Sequence, residues 1–343
     1  MDIIKTIQDN QELWDLFTRQ EEYHAQVRDR NDRFPYYASM NRTIFEPTVS
    51  KYLVEQGYHT EYPDNKPFAV CLSHDIDVIN RSILEKMSEA PSKMRNAGFL
   101  ACFHTLEQIR SRKIPLWNFP AMMALEERYG AKSSFYFMNQ HPSDSDYNYN
   151  IEECEGIMGE LFDGGWGVGL HGGHTAYLDP VKIKQDKKRL EKVLNKTVTG
   201  YRNHYLRFRI PDTWEHLSHA GFKYDTTLGY ADCIGFRNGM CHPFRPYNLT
   251  TQREIDIIEI PLVIMDTTLD NYMAMNTATS WELTRRLIDT VERYHGVISV
   301  LWHNHNFYGE KQKFYEKILK YCAEKGAWMT SGEEIAGWFN RTH

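Results

Sequence analysis

The chain has 343 residues, 41% hydrophobic and 25% charged, which excludes the composition of a disordered protein and allows either two domains or one large α/β barrel with an extension. Its 40 Lys and Arg against 46 Asp and Glu leave a formal net charge of −6 with no basic run or tail, so a surface tracking nucleic-acid phosphates is not expected. The N-terminus, MDIIKTIQDNQELWDLF, carries acids and amides every few residues and offers no apolar signal core. No stretch elsewhere reaches the ~18 consecutive apolar residues of a membrane helix. A cytoplasmic protein without a membrane span is expected. Six cysteines without a CxxC pair fit reduced, buried thiols better than a disulfide frame.

Residues 1–65 read as two or three polar helices around Phe34-Pro35-Tyr36-Tyr37 and the segment Pro47 to Tyr58, with no strand-like run. They form an N-terminal helical extension. Residues 66–343 alternate. Apolar, β-rich runs are expected as strands at Phe68–Leu72, Ser133–Phe137, Trp166–Leu170, Thr197–Tyr201, Phe222–Thr226, Ile255–Ile264 and Val297–Trp302. Helical periodicity marks Leu116–Tyr129, Ile151–Phe162, Pro180–Leu194, Pro211–Ala220 and Trp281–Tyr294 between them. Asn139–Asn150 reads as an exposed loop. About seven strands with helical crossovers predict an α/β fold with a parallel sheet, best satisfied by a distorted (β/α)7-8 barrel.

Working residues of such a barrel lie where strands end. Here those ends carry Ser73-His74-Asp75-Ile76-Asp77, His171-Gly172-Gly173-His174, Arg202-Asn203-His204 and Leu301-Trp302-His303-Asn304-His305. Taken singly, each has an ordinary explanation: an aspartate as helix N-cap, a histidine satisfied by backbone carbonyls, an arginine in a surface ion pair, His303 as a core residue. Four strand ends delivering Asp, His and Arg to one rim point instead to a His/carboxylate metal site with spare titratable groups. An aspartate and two histidines leave a divalent ion an open position; a second carboxylate and a further histidine then serve as base and acid for amide or ester hydrolysis.

The ordered set, Asp-x-Asp after the first strand, a His-rich loop, an Arg after a later strand and Leu-x-His near the end, resembles the polysaccharide deacetylases of carbohydrate esterase family 4, over roughly Lys66 to Trp338. The resemblance implies a divalent metal, most simply Zn²⁺, with Fe, Co or Ni as alternatives, and an acetylated sugar or oligosaccharide as substrate. It also implies Asp75 as catalytic base, Asp77 and His171 as metal ligands, Arg202 as the arginine that orients the base and His303 as catalytic acid. Tyr224-Asp225 lies where the family often carries another aspartate motif. The chain departs from the family pattern at three points: Ile76 separates the aspartates, Thr175 stands where the second histidine is usual, and His204 replaces a proline. The second nitrogen ligand is expected to be His174, turning back across Gly172-Gly173, with His204 as its competitor.

His204, Arg237, Trp302 and His305 are expected beside the substrate, although the loop 235–244 could equally be a packed irregular segment. The expected activity is metal-dependent removal of an N-acetyl group from a sugar or sugar conjugate. Its rivals are a carbohydrate-binding barrel without activity and a hydrolase of another non-peptide C–N bond, such as a deformylase.

Overall fold

The computed structural model describes residues 1–81, 114–144 and 146–342. Its centre is a curled sheet of nine strands: β1 Ala69–Ile76, β2 Ser134–Met138, β3 Gly167–Gly172, β4 Gly200–Asn203, β5 Tyr224–Asp225, β6 Ile258–Glu259, β7 Ile264–Met265, β8 Val297–Leu301 and β9 Trp328–Thr330. The hydrogen-bonded order is β6-β5-β4-β3-β2-β1-β8-β7, every neighbouring pair parallel, with β9 also pairing β1. Strands buried on both faces read as continuous apolar runs, and β1, β2 and β8 are buried along their whole lengths. The architecture is a distorted (β/α) barrel.

One expected strand is two. Ile255–Ile264 divides into β6 and β7, which lie at opposite ends of the strand path. Pro261 stands between them and has no N–H for a ladder, so the chain leaves one edge there and rejoins at the other. The short β9 was not foreseen. Thr197–Tyr201 slides forward to Gly200–Asn203, and the shift carries Arg202 and Asn203 into the ladder.

Ten helices of the described residues are numbered in chain order. The first three are α1 Ile3–Ile7, α2 Gln11–Thr18 and α3 Thr48–Glu55. The others are α4 Phe119–Arg128, α5 Glu155–Asp163, α6 Pro180–Leu194, α7 Asp212–His219, α8 Thr277–Arg293, α9 Gly309–Glu324 and α10 Gly332–Thr342. In α6 the Asp179 carboxylate accepts from the N–H groups of Val181 and Lys182, and Pro180 starts the first turn. Its buried residues Ile183, Lys187, Leu190 and Leu194 recur at the three-to-four spacing of one helix face. No described helix is long and apolar enough to cross a membrane. Cys71, Cys154, Cys233, Cys241 and Cys322 are free and buried; Cys102 lies outside the described residues.

The N-terminal helices share the barrel's core. Ile7, Phe17, Val49 and Leu53 belong to the same hydrophobic cluster as the sheet residues. The loop 235–244 is the packed segment that receives them. The Val49 and Ser50 amides donate to the Gly239 carbonyl at 3.0 and 3.1 Å, and the Phe236 amide donates to Ile44. Gly235 has φ +129°, and a Cβ there would fall 2.5 Å from the Ile44 carbonyl oxygen, so only glycine fits.

Arg237, expected beside the substrate, is instead 2% exposed in this joint. Its guanidinium pairs with Glu22, which also accepts from Arg19 Nε at 2.8 Å. Burial alone would raise the Glu22 carboxyl, but Arg237 and Arg19 hold it below its ordinary range. Arg237 has Glu22 as its carboxylate partner, and Arg19 shares Glu22 with Glu21, so Glu22→Gln is expected to destabilise the fold by about 2–3 kcal/mol, chiefly by leaving the buried Arg237 guanidinium unneutralised. Denaturant unfolding checks this; a midpoint unchanged from the parent would show the joint to be energetically idle.

Candidate metal and acid–base site

Register places the chemistry on one rim. Ser73 pairs Leu301 and Met265 pairs Leu301, while Asp75 pairs Tyr136, Met138 pairs His171 and His171 pairs Arg202. Following these rows across the sheet, the C-terminal ends of β1, β3, β4, β7 and β8 deliver Asp75, Asp77, His171, Arg202, His204, Asp266 and His303 to one region. The rim is pinned from outside by Tyr149 of the 139–150 loop, whose hydroxyl donates to the Ile76 carbonyl at 2.7 Å and accepts from the Met138 amide at 2.8 Å.

Asp77, His171 and His204 form a compact trio. His171 Nε2 lies 3.3 Å and His204 Nδ1 3.5 Å from Asp77 Oδ1, and the two nitrogens are 3.1 Å apart. Ligands of a tetrahedral ion with bonds of about 2.0–2.1 Å stand roughly 3.4 Å from one another, so the donor set fits such an ion. The ring orientations agree. His171 Nδ1 donates to the Arg202 carbonyl at 3.1 Å, and His204 Nε2 faces the Asp146 carboxylate at 3.3 Å. Each ring thus turns its other nitrogen inward, as metal-binding histidines do.

Two inward nitrogens at that separation need a proton or a cation between them. Burial pushes the His204 imidazole down to about 3, leaving it neutral, the form a metal requires. Burial lowers His171 too, but Asp75 and Asp77 outweigh it and raise the ring above its ordinary value. For Asp77, burial would raise the carboxyl, whereas His204 first and then His171 and His303 hold it well below the usual range.

The histidine that the structure brings beside Asp77 and His171 is His204, not the expected His174. His174 stands outside the trio: Arg207 Nη1 lies 2.6 Å from its Nδ1 and 3.0 Å from its Nε2, and donates to its carbonyl at 2.7 Å. The Gly172-Gly173 pair does not serve the turn proposed for it. Gly172 remains in β3 without a positive φ and is needed for close approach, since a Cβ would fall 1.9 Å from the Tyr201 hydroxyl. His204, directly after the end of β4, is the second histidine of the trio.

Asp75 is 2% exposed, and its Oδ1 accepts no hydrogen bond. Its Oδ2 is 3.6 Å from His171 Nε2 and its Oδ1 3.9 Å from Arg202 Nε. Arg202 is fully buried, anchored to Thr226 Oγ1 at 2.7 Å and Ser73 Oγ at 2.9 Å. On the other side, His303 Nδ1 meets Asp266 Oδ1 at 2.6 Å, and the His303 amide donates to Asp266 Oδ2 at 2.9 Å. Burial would lower the His303 ring, but Asp266 overrides it and raises the imidazole to about 10. Its Nε2 points inward, 3.8 Å from Asp77 Oδ2, with His305 Nδ1 at the same distance.

Trp302, expected beside the substrate, is 3% exposed and stacks on Phe314 in the core; its carbonyl instead accepts from His74 Nδ1 at 2.7 Å. His305 does line the pocket, together with Asp75, Asp77, His204 and His303. Asp266 was missed, although Ile264-Met265-Asp266 is the same strand-end signal that singled out Asp75. Asp146 carried no such signal.

No protein-family profile and no curated protein sequence matches the chain. Among solved structures, the fold is similar to that of a Mycobacterium smegmatis protein described provisionally as a polysaccharide deacetylase, at 17% identity over 82% of this chain and 93% of that one, with a TM-score of 0.56. Looser likenesses join it to a Bacillus cereus polysaccharide deacetylase (12% identity, 80% of this chain and 94% of that one, TM-score 0.42) and to a Bacillus anthracis pseudoenzyme of carbohydrate esterase family 4 (11%, 80% and 66%, TM-score 0.40). The chain has the polysaccharide deacetylase fold.

Proposed function

We propose that this protein is a metal-dependent hydrolase that removes an N-acetyl group from a sugar or sugar conjugate. The observation that carries the reading is one pocket in which a metal-sized trio, Asp77, His171 and His204, has beside it the Asp75 carboxylate, whose buried Oδ1 accepts no hydrogen bond, and at its edge His303, an imidazole raised by a buried partner. A divalent cation held there, Zn²⁺ or alternatively Fe, Co or Ni, would polarise the acetamide carbonyl and acidify a water. Asp75 takes the proton of the attacking water, with the Arg202 guanidinium held 3.9 Å away by Thr226 and Ser73 to favour its charged form. His303, protonated through its contact with Asp266, gives a proton to the departing amine. Leu206 and Met265, apolar and nearly buried, line the same pocket and suit an acetyl methyl.

Acetate release from a panel of N-acetylated sugars, with each metal supplied in turn, tests the proposal. Formate or ammonia in place of acetate would indicate another C–N hydrolase, and a protein that stays metal-free and inert would indicate a binding barrel. The Asp266 contact adds a pH signature. Because His303 works protonated and Asp266 keeps it so up to about 10, Asp266→Asn is expected to move the alkaline limb of kcat down toward the ordinary imidazole range near about 6.5. A pH–rate profile with an unmoved alkaline limb would assign that limb to another group.

A further inference from the structure

Part of the pocket wall has no role in these proton transfers, and the N-terminal segment builds it. Tyr205 and Tyr272 line the pocket and are 43% and 39% exposed. Both are nevertheless held. Arg33, 5% exposed, donates from Nη1 to the Tyr205 carbonyl at 3.0 Å and from Nη2 to the Tyr272 hydroxyl at 3.1 Å, and its guanidinium lies 5.2 Å from the Tyr272 ring centre. Asp29 engages the same guanidinium, accepting from Nε at 2.8 Å and lying 2.6 Å from Nη2.

The Tyr205 backbone needs such a brace. Tyr205 and Leu206 have φ +60° and +55°, two successive non-glycine residues in the left-handed region, a strained arrangement that persists only where its surroundings hold it. Arg33 grips the carbonyl of the first of them. The Tyr205 ring also lies against His204, their centres 4.0 Å apart, so the wall adjoins the metal trio.

We propose that Tyr205 and Tyr272, with Arg33 as their positioning residue, form a platform for the sugar ring that carries the acetamide, and that it favours an uncharged ring; this rests on the deacetylase reading above. A pyranose has a C–H face and a hydroxyl rim, and a half-exposed tyrosine presents the matching apolar face with a polar edge. Because Asp29 neutralises Arg33, the wall offers no free positive charge for a phosphate or uronate. The pocket, about 270 Å³, is at the small end of ligand sites and has space for about one ring.

The test uses tetra-N-acetylchitotetraose with Tyr272→Ala, Tyr272→Phe, Arg33→Ala and the parent, reading kcat, KM and bound metal. Tyr272→Ala is expected to raise KM about tenfold, the equivalent of one good aromatic contact, with kcat and metal content nearly unchanged. Tyr272→Phe keeps the ring and should cost less. Arg33→Ala should raise KM as Tyr272→Ala does, because both rings lose their brace. A KM unmoved by Tyr272→Ala overturns the platform and leaves the deacetylase reading standing. Should the parent release no acetate, the deacetylase reading falls, and calorimetric titration of the same oligosaccharide decides the platform: binding lost in Tyr272→Ala upholds it, and no binding to the parent overturns it.

Discussion

Asp75→Asn is expected to reduce acetate release by roughly 10²–10⁴-fold, about 3–5 kcal/mol of transition-state stabilisation, while the protein still binds metal. The asparagine keeps the size of the side chain but cannot take a proton from water. Asp75 Oδ1 accepts no hydrogen bond and lies 3.9 Å from Arg202 Nε, so the exchange leaves no broken hydrogen bond at that atom, and the loss reports on chemistry rather than folding. Parallel measurement of kcat and of metal content separates the two. A variant with the parent's kcat on a confirmed substrate would remove Asp75 from the role of base.

His204→Ala is expected to abolish stable metal binding, a loss well beyond the ~10–100-fold of residues that merely support a ligand. His174→Ala should leave affinity within a few-fold, since that ring faces Arg207. Competition titration with a chelator, applied to both variants, gives the order directly. If His174→Ala were the weaker binder, the trio of Asp77, His171 and His204 would not be the metal site.

Much of this was legible in the sequence, for an identifiable reason. A parallel sheet writes its strands as apolar runs and its rim as the residues that follow them, so the strand-end rule found Asp75, Asp77, His171, Arg202 and His303 together. It failed where position depends on contacts distant along the chain. Nothing near His174 announces that Arg207 will occupy its ring. Nor does the segment around Arg33 show that it reaches Tyr205, 172 residues away, or Tyr272, 239 away. Thr175 and His204 read along the sequence as departures from the pattern it resembles; in three dimensions β3 and β4 are adjacent, and His204 stands beside His171 and Asp77.

The two uses of Arg202 tie the halves of the site together. Its carbonyl accepts from the His171 ring and its guanidinium lies beside Asp75, so under the proposed function the end of β4 would act as a common lever for a metal ligand and a proton acceptor. Displacing that strand by a few tenths of an ångström would misalign both at once. Metal affinity and turnover should therefore fall in step for any change that moves the β4 backbone, and separately only for changes confined to a single side chain.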